Sequence, residues 1–205
     1  MRKMVEPANP TTHRRDITLG KDNAQLAGGN TRAENWFIRR LASIKTVARM
    51  LFGLIWVIDG TLKLQPGFVS SFPSLIDSVS TGQPAILHGW FAFWNFLTLA
   101  NPAMFVYGEA ALEFGLGIVL ILGLFRKVAY VGGFFLSILI WSVGEGFGGP
   151  YNASSTDIGA GAIYAVVFLF LIIINASHGP SKYSLDSLIE RRWKAWKKFA
   201  EVRVE

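Results

Sequence analysis

The stretch from Trp141 to Ile163, WSVGEGFGGPYNASSTDIGAGAI, joins two strongly apolar runs of the chain. It contains the acids Glu145 and Asp157 and four glycines between positions 144 and 149, but no lysine or arginine. A connection exposed to solvent rarely has this composition, because surface loops are mostly polar. We therefore predict that this stretch bends back onto the helices on either side of it and shapes the mouth of a pocket between them.

The composition of the whole chain indicates a membrane protein. Its 205 residues are 51% hydrophobic and 14% aromatic, yet the formal net charge is +6, which suits a protein whose charges lie outside a bilayer. The chain has no cysteine, which excludes a disulfide, a thiolate nucleophile, an iron–sulfur cluster and a cysteine-ligated zinc site. Any redox chemistry must therefore belong to a bound cofactor or substrate. The sequence carries no metal-binding or flavin-binding motif.

Four segments are long and apolar enough to predict an all-α, integral membrane four-helix bundle. The first is interrupted by Arg49, Asp59 and Lys63, so its hydropathy alone predicts a span only weakly. The predicted spans are 46–64, 102–125, 128–143 and 158–175.

The distribution of basic residues predicts how these spans are oriented. A fifth span over 84–100, PAILHGWFAFWNFLTLA, would place the turn at 126–127 and the basic tail opposite the N-terminus. With four spans, nineteen of the twenty lysines and arginines share one side, as the positive-inside rule requires, and only Lys63 lies towards the other. We therefore predict a multi-pass plasma membrane protein with both termini in the cytoplasm. The aromatic segment 84–100 is then a helix or re-entrant element on the outer face.

Both ends of the chain are basic. Residues 1–35 show no apolar period and predict a disordered arm, and 36–45 reads as a short amphipathic lead-in. Residues 179–205 predict a basic amphipathic helix lying on anionic cytoplasmic lipid. Positive-inside bias accounts for these charges, so we expect no nucleic acid partner.

Five acids and one lysine, drawn from all four spans, are predicted to converge at or just below the outer surface. Ionisable groups inside a spanning segment are costly and usually face the interior of the bundle, which makes this cluster the predicted site. Its members are Asp59, Lys63, Glu109, Glu113, Glu145 and Asp157.

Helical spacing suggests a role for each group. Glu109 and Glu113 are four residues apart and repel each other when both are ionised, so we expect one of them to hold a proton near neutrality and to relay it. Asp59 and Lys63 have the same spacing and predict an ion pair that tunes this site.

Other candidate residues have structural alternatives. Trp56, Trp141 and Tyr151 form an aromatic wall around a ring-shaped ligand, or else an interfacial belt. Asp157 shapes the pocket mouth, or else caps the N-terminus of the last span. Glu145 shapes the same mouth, or else accepts hydrogen bonds from the backbone amides of the glycine-rich turn. The pair Asp59 and Lys63 also has a purely structural interpretation.

Three runs resemble the DoxX/DoxD family: RMLFGLIWVIDGTLKLQPGF, YGEAALEFGLGIVLILGLFRK and WSVGEGFGGPYNASSTDIGAGAIY. The resemblance covers roughly Val47 to Asn175. It implies a four-helix bundle like the large membrane subunit of thiosulfate:quinone oxidoreductase, which oxidises thiosulfate to tetrathionate and passes the electrons to membrane quinone. It also implies a partner: a DoxA-like small subunit or a terminal quinol oxidase.

Quinone fits the predicted site better than thiosulfate does. An aromatic crevice with carboxyl groups suits a ring that exchanges protons. A dianion must approach five acids with Lys63 as the counter-charge. We therefore predict a quinone-linked oxidoreductase subunit in contact with membrane lipid. The alternative is a non-catalytic membrane subunit that docks and stabilises a redox partner complex. A proton channel would need the chain to form a homo-oligomer.

Overall fold

The computed structural model describes Arg40 and residues 43–151, 155, 157–178 and 183–202. The chain divides into two units, Met1–Ile44 and Lys45–Glu205, and the contacts described below belong to the second. The predicted arm over 1–35 and most of the lead-in at 36–45 lie outside the described residues, as do residues 179–182 and 203–205 of the predicted tail helix. Within the described ranges the fold is all-α, with no strand.

The helices follow one another with short connections. Helix α1 covers 43–63, and short 3-10 turns occupy Ala85–Leu87, Gly146–Gly148 and Lys194–Trp196. The remaining α-helices of the described residues are α2 (Phe68–Ser80), α3 (His88–Ala100), α4 (Pro102–Leu122), α5 (Arg126–Val143), α6 (Ala160–His178), α7 (Leu185–Arg192) and α8 (Lys197–Ala200).

Three of these helices, α4, α5 and α6, are long and apolar enough to cross a membrane. They coincide with three of the four predicted spans, which agrees with a membrane location. Helix α1 matches the first predicted span in position but not in hydropathy, because Lys45, Arg49, Asp59 and Lys63 interrupt it. Helix α4 ends at Leu122, since Gly123 adopts a left-handed conformation with φ of 66°. The predicted second span, 102–125, was therefore three residues too long.

Helix α2 was not predicted from the sequence. This helix is amphipathic, and it buries Phe72 and Ile76 against Val106 of α4. Its sequence, FVSSFPSLIDSVS, contains Pro73 and five serines, both unfavourable inside helices, so the pattern did not stand out. Its packing against α4 outweighs these weak local preferences.

Helix α3 occupies most of the aromatic segment at 84–100. Phe91 is buried, and its ring lies 6.2 Å from that of Phe147 in the glycine-rich turn. Trp90 reaches the same region, where its indole N–H donates to the Ser142 carbonyl at 3.4 Å. The aromatic helix therefore packs over the glycine-rich stretch that follows α5.

The main core lies between α1, α4, α5 and α6 and is rich in aromatic rings. Trp56 and Phe168 have no exposed surface, and the Phe52 ring lies 4.9 Å from that of Phe168. Gly133 lets α5 and α6 approach, because a Cβ at this position would collide with the Phe168 ring. Close helix approach at small residues is the usual packing mode inside membranes.

The C-terminal segment is not the single helix predicted for 179–205. Helix α7 ends at Arg192, because Trp193 is extended with φ of −136° and ψ of 92°. A 3-10 turn and the short α8 follow. The physical reason is packing: Asp186 and Ala200 have no exposed surface, and Asp186 is bonded to the turn between α4 and α5. A straight helix could not make both buried contacts.

Candidate functional site

The site begins where α1 and α4 touch. A Cβ on Gly117 would lie 2.7 Å from the Gly53 carbonyl oxygen, and one on Gly53 would lie 2.8 Å from the Gly117 carbonyl oxygen. One heptad further along α1, a Cβ on Gly60 would lie 3.0 Å from the Ala110 carbonyl oxygen. These glycines bring the two backbones together, so side chains just beyond Gly60 reach directly to α4.

Lys63 uses this approach to contact both glutamates of α4. Its Nζ lies 2.6 Å from Glu113 Oε1 and 3.4 Å from Glu109 Oε1. Side-chain exposure is 2% for Glu113 and 17% for each of the other two. We call these three residues the Lys63 cluster. The predicted ion pair between Asp59 and Lys63 is not formed: the short crossing of α1 over α4 directs the lysine across to α4 instead.

A cavity of about 250 Å³ adjoins this cluster, and we call it the charged cavity. It is walled by α1, α2, α4, α5, the glycine-rich turn and α6, so most of the bundle contributes to it. Three acids and one lysine share its wall with aromatic and small residues. The lining residues are Trp56, Asp59, Leu62, Lys63, Phe68, Glu113, Ser137, Ile140, Glu145, Ala160, Gly161 and Tyr164.

Two buried polar atoms of residues in this wall lack a hydrogen-bond partner among the described residues. One is Glu113 Oε2, an acceptor, and the other is the Trp56 indole Nε1, a donor. Leaving such a group unpaired costs about 1–3 kcal/mol, so native structures rarely do so without a reason. Because both residues line the same cavity, a water or another bound molecule there is the available source of the missing hydrogen bonds.

Glu145 closes the charged cavity from the glycine-rich turn. Both of its oxygens accept from the Gly161 N–H, at 2.9 and 3.2 Å, in the first turn of α6. Burial raises the pKa of this carboxyl, and the Gly161 hydrogen bond opposes that rise. A Cβ on Gly159 would collide with Glu145 Oε2, so this glycine gives the carboxylate its room.

The other residues predicted for the mouth lie outside the cavity wall. Trp141 donates to the Ile158 carbonyl at 2.7 Å, and Tyr151 is 62% exposed and donates to the Phe147 carbonyl at 2.7 Å. Exposed Asp157 accepts from the Gly159 N–H at 2.8 Å. These three bonds hold the shape of the turn, whereas Trp56, Asp59, Lys63, Glu113 and Glu145 line the cavity together.

Glu109 faces a second space, an apolar pocket of about 270 Å³ between α2, α4 and α5. Ile140 lines both spaces, and the contact between Lys63 and Glu109 joins their walls. The pocket is lined by Phe72, Ile76, Met104, Phe105, Gly108, Glu109, Leu112, Leu136, Leu139, Ile140, Val143 and Gly144.

Sequence reasoning missed Tyr164, Ser137 and Phe68 in the charged cavity. A signal for Tyr164 was present, because it lies one turn after Gly161 on the same face of α6. Ser137 is fully buried, and its hydroxyl donates to the Gly133 carbonyl, so it serves helix α5 locally. Phe68 could not be placed without recognising α2.

A second buried ionic group was also missed. Arg126, 1% exposed, donates from Nε to Asp186 Oδ2 at 3.0 Å and from Nη2 to Glu190 Oε1 at 2.9 Å. We call Arg126, Asp186 and Glu190 the Arg126 cluster. The Asp186 carboxylate also accepts from the Phe125 N–H, the Arg126 N–H and the Trp196 indole N–H. It fixes the C-terminal segment to the turn between α4 and α5.

The described residues contain no group of three or more histidines, cysteines or acids arranged to hold a metal ion. Comparison of the chain with protein-family models, with curated proteins and with solved structures gives no match. The interpretation of the site therefore depends on its geometry and on the resemblance of the sequence runs.

Proposed function

We propose that this chain is the membrane subunit of a quinone-linked oxidoreductase and that the Lys63 cluster moves protons to or from the bound ring. The observation that carries the proposal is one lysine shared by two glutamates at the wall of a cavity inside a group of apolar helices. Such a cluster holds a proton in several arrangements of similar energy, which suits proton exchange.

The proposed topology has four spans, with α1 added to α4, α5 and α6, and both termini in the cytoplasm of the plasma membrane. The charge distribution supports it, since Lys63 is the one basic residue on the far side. The Lys63 contacts to Glu109 and Glu113 support a place for α1 in the bundle, because the acids of α4 compensate its buried charge.

The proposed reaction joins two thiosulfate ions through a new S–S bond to give tetrathionate and releases two electrons. The quinone takes up these two electrons and two protons to become the quinol. Glu113 lies beside the cavity and Glu109 beside the apolar pocket, with Lys63 between them. The cluster is therefore placed to deliver the protons.

Electrostatics disfavour a thiosulfate site in the charged cavity. Lys63 already contacts two carboxylates, and Asp59 and Glu145 add further negative charge to the same wall. A dianion brought there would be repelled by these acids. We propose that a partner, such as a DoxA-like small subunit, carries the sulfur substrate and that this chain serves the quinone.

Thiosulfate-dependent quinone reduction by the purified complex tests the proposal. Glu113→Gln keeps the size of the side chain but removes its exchangeable proton, so we expect the rate to fall about a hundredfold or more. Asp77→Asn on the exposed surface of α2 is the matched control and should leave the rate unchanged. An unchanged rate in both Glu113→Gln and Glu109→Gln would exclude the Lys63 cluster from the mechanism.

A non-catalytic subunit that docks a redox partner is the second proposal. It is favoured by the absence of cysteine and by an open apolar groove of about 550 Å³ along α4 and α5. Gly115 and Gly132 line this groove, and a Cβ on either would meet no atom within 4 Å. Co-purification of a stable partner, with no quinone extracted from the protein, would support this proposal over the first.

A further inference from the structure

We infer that the C-terminal segment presents a surface that binds the headgroups of anionic phospholipids. The segment comprises α7, the 3-10 turn after it and α8. This inference goes beyond the proposed function, because it involves neither the charged cavity nor a redox reaction. We call the exposed side of the segment the C-terminal basic surface, and its cations are Arg191, Arg192, Lys194, Lys197 and Lys198.

Folding separates the charges of this segment by sign, which the composition of the predicted tail helix did not reveal. The acids Asp186 and Glu190 are buried, and both bond Arg126. The five cations lie within the eight residues 191–198, and all of them are exposed. Over residues 183–200 no acid is exposed. The surface therefore carries a stronger positive field than the sequence of the segment alone would predict.

A further positive charge lies at the same end of the bundle. Arg49 is 2% exposed, and its Nη2 donates to the Tyr183 carbonyl at 2.8 Å, just before α7. Its Nε and Nη1 lack a hydrogen-bond partner, and no carboxylate of the described residues lies within 4 Å of its guanidinium nitrogens. Because no bonded acid cancels this charge, Arg49 adds to the positive field at this end of the bundle.

Hydrogen bonds fix the segment across the ends of the apolar helices. The Asp186 N–H donates to the Gly123 carbonyl at 3.2 Å, where α4 ends, and the Asp186 carboxylate accepts from the Arg126 N–H, where α5 begins. Asn175, near the end of α6, donates to the Ala200 carbonyl at 3.3 Å. These three helices are long and apolar enough to cross a membrane, and the ends of a crossing helix lie at the headgroup layer. The C-terminal basic surface is therefore at the level of the lipid phosphates.

Exposed apolar side chains among the cations favour lipid over a soluble anion. Leu188, Trp193 and Phe199 are 58%, 63% and 49% exposed. The Trp193 ring stacks on that of Trp196 at 6.3 Å, and the Trp196 indole N–H donates to Asp186, so the aromatic side chains are fixed in place. In the headgroup layer such rings lie beside the acyl boundary while long cationic side chains reach the phosphates. Both features of the surface suit this layer.

Lipid titration of the full chain, purified in a neutral detergent, tests the inference. Because the chain has no cysteine, Ala195→Cys provides a single exposed site for an environment-sensitive fluorophore. The measurement is the mole fraction of lipid in the micelles that gives half of the maximal emission shift. Phosphatidylglycerol should reach it at a mole fraction at least about thirtyfold lower than phosphatidylcholine does. Salt at about 0.5 M should remove most of this difference, because it screens exposed charges.

Charge variants of three lysines separate electrostatics from side-chain size. The triple variant Lys194→Gln, Lys197→Gln and Lys198→Gln removes three exposed cations and touches no buried side chain, so it should fold. A cation near an anionic surface contributes about fivefold to binding, so the preference for phosphatidylglycerol should fall at least about tenfold. The matched control replaces the same three lysines by arginine and should keep the preference within about twofold.

The outcomes also separate the inference from the proposed function. Equal responses to the two lipids overturn the inference, as do equal preferences in the glutamine and arginine variants. A short RNA that shifts the label more strongly than phosphatidylglycerol identifies a nucleic acid surface and likewise overturns it. Charge-dependent lipid binding without thiosulfate-dependent quinone reduction supports the inference and contradicts the proposed function. Quinone reduction without any preference between the lipids leaves the function standing and overturns the inference.

Discussion

The Lys63 cluster and the Arg126 cluster are both buried ionic groups, but their charges are balanced differently. In the Arg126 cluster, one carboxylate, Asp186, accepts four hydrogen bonds, and Arg126 also bonds Glu190. In the Lys63 cluster, a single lysine serves two glutamates, and Glu113 Oε2 has no donor among the described residues. The first acid is saturated with donors and the second is not.

The surroundings of the two clusters differ in the same way. Around Arg126 the packing is tight: a Cβ on Gly123 would collide with the Arg49 guanidinium and the Ser184 side chain. Beside Glu113 there is a cavity of about 250 Å³ with two further acids in its wall. The Asp186 carboxylate, saturated and tightly packed, indicates a structural role, although Arg126 Nη1 has no partner among the described residues. The Glu113 carboxylate, unsaturated and beside open space, indicates a ligand. Burial alone would not have separated them, because both acids are at most 2% exposed.

The largest effect is expected from Asp186→Asn. The substitution removes the Asp186 negative charge from buried Arg126 and weakens the hydrogen bonds to the turn between α4 and α5. The free energy of unfolding should therefore fall by about 3–5 kcal/mol. The measurement is the free energy of unfolding in detergent. Asp77→Asn, on the exposed face of α2, is the control and should change it by less than about 0.5 kcal/mol. A loss no larger than the control's would remove the structural role assigned to the Arg126 cluster.

Gly117→Ala should lower the free energy of unfolding by about 1–3 kcal/mol, a smaller loss. The added methyl group would lie 2.7 Å from the Gly53 carbonyl oxygen and 2.7 Å from the Val57 side chain. Gly115→Ala in the same helix meets nothing within 4 Å and should instead stabilise by about 0.5–1 kcal/mol. Thermal unfolding of the two variants side by side gives the comparison. If both move in the same direction, the close approach of α1 and α4 does not hold the site together.

Glu113→Gln should change the free energy of unfolding by no more than about 1 kcal/mol, despite its burial. The substitution removes the ion pair between Lys63 and Glu113, which destabilises the fold, but it also removes the repulsion between the Glu113 and Glu109 carboxylates. Lys63 keeps Glu109 as its counter-charge, so the two effects largely offset each other. The same unfolding assay in detergent measures it, next to Asp186→Asn. A loss of 3 kcal/mol or more would make the two clusters alike and contradict the distinction drawn between them.

The smallest effect concerns the pH dependence contributed by Glu145. Burial raises its pKa in the folded protein, so its stabilising contribution is complete below the unfolded value and declines as pH rises through the folded value. As pH rises, the melting temperature of the wild type should therefore fall relative to that of Glu145→Gln, which has no carboxyl to ionise at this position. Because this carboxyl is only partly buried, the shift should correspond to less than about 1 kcal/mol. A shift in the opposite direction would show that the Gly161 N–H governs this carboxyl.

The sequence was most informative where hydropathy and charge act over many residues. Three predicted spans match α4, α5 and α6, and five of the predicted site residues line one cavity. The ion-pair partner of Lys63 was harder to predict from the sequence. Helical spacing suggested Asp59, but the close approach of α1 and α4 at their glycines brings Lys63 to Glu113 instead. Distances between helices depend on packing, which a periodic pattern does not encode.

The Arg126 cluster shows a second limit of the sequence. Asp186 and Arg126 are 60 residues apart, and the basic composition around Asp186 suggested contact with lipid rather than with the protein. Similarly, α2 was hidden by serines and Pro73, although it supplies Phe72 and Ile76 to the apolar pocket. In both cases the structure of the element is determined by tertiary contacts with residues elsewhere in the chain, and local sequence does not reveal such contacts.

The turn between α4 and α5 has a consequence for how the protein is made. Phe125 holds a left-handed conformation with φ of 49°, which is costly for a bulky residue, and its N–H is bonded to Asp186. During synthesis α5, the later of the two helices beside this turn, ends at Val143, 43 residues before Asp186. Until then the hydrogen bond from the Phe125 N–H to Asp186 cannot form. Asp186 therefore fastens a corner whose helices were made before it.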